Sequence, residues 1–144
     1  MKMNDKKNNG VTNISTDETL RELLMKDGYK MNPQRMHGEQ GTDIVALNYD
    51  KVIYIEVIGH KADNNNRAKD FYEVFFRALA RLNEGAKKIV IAVPSVSRRS
   101  IKNRANYIIT AWKRIANAFP ELEIWLVDVK NKRYEKTSWM EWGV

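Results

Sequence analysis

The period of apolar and polar positions changes several times along the chain, and each change predicts an element. Residues 1–14 are polar, asparagine-rich and without apolar period, which predicts a flexible arm carrying Lys2, Lys6 and Lys7. From Ser15 the spacing turns helical. Ser15 and Glu18 have capping-box spacing, Thr16 and Asp17 compete as N-caps, and Leu20, Leu23 and Leu24 form the buried stripe. Gly28 is the C-terminal stop, a short edge strand begins around Tyr29 to Met31, and residues 33–41 read as a loop placed to act as a flap beside Asp43.

The pattern then becomes that of strands. Residues 43–48 and 52–58 predict a hairpin with its turn at 48–51. On the second strand Tyr54, Glu56 and Ile58 share one face and Ile53, Ile55 and Val57 the other, so both faces are covered. A helix over 67–84 follows, with Phe71, Tyr72, Phe75, Leu79 and Leu82 inward, and Gly85 ends it. The run IVIAVP closes a buried strand on Pro94. A last helix over 99–118 buries Ile101, Ala105, Ile108, Trp112 and Ile115, and a strand over 123–129 comes after Pro120. Strands alternating with helices require right-handed crossovers, while the opening hairpin is antiparallel. The expected fold is therefore α/β with a mixed sheet of four to five strands, in one domain over 15–144. The tail reads either as a further strand packed on the domain or as a dimer contact through Trp139 and Trp142.

Composition narrows the chemistry. A chain of 144 residues, 43% hydrophobic and 30% charged, suits one soluble domain. It has no cysteine and two histidines, which excludes thiolate sites and leaves little for histidine-rich zinc. No apolar run is long enough for a membrane span, and the first residues lack the apolar core of a signal peptide, so the expected location is cytoplasmic. Lys and Arg number 25 against 18 Asp and Glu, an excess that suits a polyanionic partner or a solubilising surface.

The candidate chemistry lies in the hairpin. Asp43 and Glu56 stand on adjacent strands beside glycine-containing bends, where two carboxylates can converge on one divalent cation. The alternative is a salt bridge that satisfies Glu56 in an otherwise apolar strand. Arg77 and Arg81, one helical turn apart, can contact a phosphate or Glu56, or pair with Glu73 and Glu84 on a solvated face. Arg98, Arg99, Lys102, Arg104, Lys113 and Arg114 lie in a stretch without an acid from 98 to 114, which favours phosphate contacts without base reading.

The sequence from GTDIVA through a short turn to VIYIEV, followed by FFRALARLNEGAKKIVIAVP, resembles the PD-(D/E)xK nuclease superfamily. Its layout is similar to the small archaeal Holliday-junction resolvases and their bacterial relatives. The resemblance implies a restriction-endonuclease-like fold, Mg²⁺ or Mn²⁺ as cofactor, DNA as partner, and a homodimer. It places the family aspartate on Asp43, the family glutamate on Glu56 and a supporting metal acid on Asp17. The family lysine falls on Ile58, which can neither orient water nor stabilise charge, so Lys61 or Lys69 is its expected replacement. Arg77 and Arg81 occupy the helix positions that face the site in such proteins, and Arg98, Arg99, Lys102 and Arg104 become contacts to the DNA backbone. A domain that kept the fold and lost the chemistry, serving in DNA binding or assembly, is the competing expectation. A protein-interaction module built on the tryptophan tail is a third.

Overall fold

In the computed structural model, residues 10–35 and 41–144 are described. Lys2, Lys6, Lys7 and residues 36–40 of the expected flap lie outside them. The first helix, α1 (Asn13–Lys26), starts earlier than Ser15 because Thr12 provides the cap: its hydroxyl accepts from the Ser15 N–H at 3.0 Å. The expected arm is thus structured from residue 10 onward, and Val11 forms an isolated antiparallel bridge with His60.

Six strands form one open sheet in chain order: β1 (Lys30–Met31), β2 (Ile44–Asn48), β3 (Lys51–Val57), β4 (Ile89–Pro94), β5 (Leu122–Asp128) and β6 (Arg133–Ser138). The first three are antiparallel, β3, β4 and β5 run parallel, and β6 returns antiparallel to β5. The count exceeds the expected four to five because both the two-residue edge strand and the tail strand are present. Between β3 and β4 runs α2 (Asn64–Ala80), capped by Asp63 and continued by a 3-10 turn to Glu84, where Gly85 takes the left-handed φ of +78° that ends it.

The helix expected over 99–118 is two helices, α3 (Arg98–Tyr107) and α4 (Ile109–Ala118). The break falls at Ile108, whose φ of −118° leaves the helical region. The β-branched run Ile108, Ile109, Thr110 weakens helix there, and no proline is needed.

Each face of the sheet carries its own core. On one, Leu20 and Leu24 of α1 pack on Ile44, Ile53, Ile55, Val90 and Trp125. On the other, α2, α3 and α4 cover Ile58, Ile89, Ile91, Val93 and Ile124 with Phe71, Val74, Ile101 and Trp112. The tail completes this second core. Trp139 and Trp142 are only 2% and 6% exposed, so they are not the solvent-facing contact that an interaction module requires. Trp139 stacks on Trp112 at 3.7 Å between ring centroids. Each indole N–H of that pair donates to the other residue's carbonyl, at 2.8 and 3.0 Å. The Trp142 indole donates to Thr137 at 2.7 Å, and the Thr137 hydroxyl donates to the Ile124 carbonyl. Burial of the tail follows from these partners: every indole N–H in it is satisfied without water. No described helix is long and apolar enough to cross a membrane.

Candidate active site at the mouth of the first hairpin

The register Ile44↔Ile55 brings Asp43, the residue just before β2, opposite Glu56 near the end of β3. Both carboxylates then take up backbone donors that the ladder leaves over. The Val57 N–H donates to Asp43 Oδ2 at 2.9 Å, and the Asp43 N–H donates to Glu56 Oε2 at 3.3 Å. The hairpin thus ends in a reciprocal latch made of two acids. Asp43 stands one residue outside the strand that was expected to begin with it.

Glu56 is 2% exposed and faces α2. Burial first, and then repulsion from Asp43, push its pKa up to about 7, while Arg77 acts in the opposite direction. Arg81 comes closer than Arg77. Its Nε lies 3.9 Å from Glu56 Oε1, an ion-pair separation rather than a hydrogen bond. Its Nη1 donates to Thr42 Oγ1 and to Glu84 Oε1, both at 2.9 Å. Arg77 is half in solvent and pairs loosely with Glu73 at 3.8 Å. Arg81 therefore meets both expected partners, Glu56 and Glu84, whereas Arg77 meets only its helix neighbour.

Asp17 is engaged by an arginine of its own helix. It sits on α1 with Arg21 one turn on, Nε to Oδ1 at 2.6 Å. Burial pushes its pKa up, Arg21 pulls it back, and the charge of Asp43 raises it slightly further. Arg21 in turn donates to the Asp43 carbonyl at 2.8 Å and to the Asn32 carbonyl. Asn32 accepts from the Val45 N–H at 2.7 Å and donates to the Asp43 carbonyl at 3.2 Å. Asp17 thereby fixes the backbone of Asp43 rather than adding an oxygen beside its carboxylate. Among the described residues no group of three or more His, Asp or Glu side chains is placed to hold a metal ion.

The lysine position is closed. Ile58 is 9% exposed and belongs to the core beside Phe71. Lys61 is more than half exposed and bonded to Asp70 at 3.0 Å, and Lys69 is exposed on α2. Lys61 does border an open cleft of about 480 Å³ that Val11, Thr12, His60, Asp70 and Arg77 also line. One wall depends on Gly59: a Cβ there would come within 2.3 Å of the Val11 carbonyl oxygen and 2.7 Å of the Asn13 nitrogen. His60 shares a hydrogen bond with Ser97 at 2.8 Å, and burial, then Arg67, lower its pKa.

The basic stretch is partly used up inside the fold. Arg98 pairs with Glu135 at 2.5 Å, Lys102 donates to the Trp142 and Val144 carbonyls at 3.0 and 2.7 Å, and Arg104 donates to the Tyr72 hydroxyl at 3.1 Å. Arg99, Lys113 and Arg114 are exposed and form no ion pair among the described residues. The break at Ile108 also separates Lys113 and Arg114 from the others. Sequence reasoning missed Arg21, Asn32 and Thr42. The spacing of Asp17 and Arg21 was readable, but nothing local marks Asn32 or Thr42. Comparison with protein-family models, curated proteins and solved structures returns no match.

Proposed function

We propose that this protein is a divalent-cation-dependent phosphodiesterase acting on DNA, with the restriction-endonuclease-like fold of the PD-(D/E)xK superfamily. The observation that carries this reading is the convergence of Asp43 and Glu56 at the mouth of one antiparallel hairpin, where Glu56 accepts from the Asp43 N–H and Asp43 accepts from the Val57 N–H. The order α1, three antiparallel strands, α2 and a parallel β4 supports it, because that layout is what the resemblance implies.

A desolvated carboxylate, Glu56, repelled by a second one, Asp43, suits a hard cation, and a Mg²⁺ site commonly needs only one or two protein carboxylates beside water and phosphate. Asp43 and Glu56 would hold it. Bound there, Mg²⁺ or Mn²⁺ supplies neutralisation of phosphate charge and an acidified water. The chain's own part is positional. Arg21 and Asn32 fix the carbonyl of Asp43, the Val57 N–H orients its carboxylate, and Lys61 and Arg77 flank the cleft where a backbone phosphate would lie. Arg99, Lys113 and Arg114, which form no ion pair among the described residues, would contact more distant phosphates. A homodimer is part of the proposal, but the tryptophan tail no longer supports it.

A second reading rests on two observations: Ile58 is core, and Arg81 already stands beside Glu56. In that reading the domain binds DNA without cutting it. Incubating plasmid and oligonucleotide DNA with Mn²⁺ separates the two. The active reading expects cleavage by the wild type and its loss in Glu56→Gln with DNA binding retained. A wild type that binds DNA and stays inert establishes the second reading.

A further inference from the structure

We infer that Arg81 is the catalytic cation of this site, its guanidinium standing where the lysine chemistry is lost at Ile58. This inference rests on the phosphodiesterase reading above.

Among the described residues Arg81 is the one cation in ion-pair contact with Glu56, at 3.9 Å. Arg81 is 17% exposed and held at three points: Thr42 Oγ1, Glu84 Oε1 and the Arg77 carbonyl, which accepts from Nε at 3.3 Å. Thr42 is itself buried and immediately precedes Asp43, so the same guanidinium braces both halves of the carboxylate pair. The alternatives are placed otherwise. Lys61 is bonded to Asp70 and Lys69 is exposed.

The remaining nitrogen matters most. Nη2 donates to no described residue, while no buried side-chain nitrogen or oxygen among the described residues lacks a partner. Among the described residues Nη2 is thus the one nitrogen of this guanidinium that no partner engages. A guanidinium anchored through Nε and Nη1, with Nη2 engaged by no described residue, is preorganised to donate to a non-bridging phosphate oxygen, and its fixed charge needs no reorganisation as negative charge grows there. Lysine on a flexible stem lacks that geometry.

A cation so placed also opposes any metal held by Glu56, and this gives a signature that a purely structural residue lacks. The experiment measures Mn²⁺ affinity by calorimetry and cleavage under single-turnover conditions for wild type, R81A and R81K, with circular dichroism confirming the fold. R81A is expected to lose about 100-fold or more in cleavage rate yet bind Mn²⁺ several-fold more tightly. R81K, which keeps charge beside Glu56 and guards against a variant that fails to fold, is expected to bind Mn²⁺ as the wild type does and to cleave about tenfold more slowly. R81A with wild-type cleavage, or with Mn²⁺ affinity unchanged or reduced in a folded protein, overturns the inference. A wild type that neither cleaves nor binds Mn²⁺ counts against the phosphodiesterase reading. Gain of Mn²⁺ binding by R81A in that case still assigns Arg81 as the charge that occupies the site.

Discussion

Two reciprocal latches hold this domain, and they differ in what they leave unspent. At the tail, Trp112 and Trp139 exchange neutral N–H to carbonyl hydrogen bonds while their rings stack. At the hairpin mouth, Asp43 and Glu56 are tied through backbone N–H groups, but Glu56 brings its carboxylate into a poorly hydrated place beside that of the half-buried Asp43. The first arrangement satisfies all its indole donors and buries large rings, so it serves the fold. The second keeps like charges together against burial, a condition that costs stability and suits a cation. Polar groups are buried in both; only ionic ones remain in need of a partner.

Breaking the neutral latch should cost most. Trp139→Ala removes a fully buried indole, its stacking on Trp112 and the hydrogen bond from its indole N–H, and is expected to lower unfolding stability by about 4 kcal/mol. Urea denaturation measures it, and an unchanged midpoint would show that the tail contributes nothing to the domain.

The ionic latch should respond to pH instead. Glu56 has its folded pKa raised above the unfolded value of 4.5 to about 7. The folded state therefore holds the proton more tightly, and the associated stability is fully present below pH 4.5 and lost as pH rises through 7. The loss is on the order of 3 kcal/mol, and the raised pKa of Asp17 adds to it with the same sign. Glu56→Gln, which mimics the protonated acid, should flatten most of this dependence and make the protein more stable than wild type at pH 7.5. Denaturation curves at pH 5 and 7.5 for both proteins decide it: parallel losses would place the titration elsewhere.

The smallest effect sharpens the contrast within the tail. Thr137→Val keeps the shape but leaves the Trp142 indole N–H and the Ile124 carbonyl without Thr137, for an expected loss of about 1–2 kcal/mol. The same denaturation assay should show no change in pH dependence, since no ionised group is involved.

Much of this was legible because periodicity reports burial directly. The two-faced reading of β3, the latch residues Asp43 and Glu56, and Gly85 as a stop came from local pattern alone. What stayed hidden depends on partners distant in sequence. Thr12 outcompeted Ser15 as a cap, although both carry a hydroxyl, because the bridge from Val11 to His60 fixes the chain just before it. The basic stretch looked uniformly free, yet Glu135, Tyr72 and the tail carbonyls occupy three of its cations. The resemblance placed Arg81 on the side of Glu56, but its anchoring on Thr42 joins residues 39 apart.

The crossing at Gly59 has a consequence for how the cleft wall is encoded. Val11 and His60 are joined there by main-chain bonds of 2.9 and 2.7 Å, which any non-proline residue at position 11 could make. The instruction that keeps the wall closed is thus written almost wholly in one of the two segments, as a missing methyl group. Chemical variety can accumulate on the N-terminal side of the cleft without moving it, whereas the first carbon added at position 59 would prise the two segments apart.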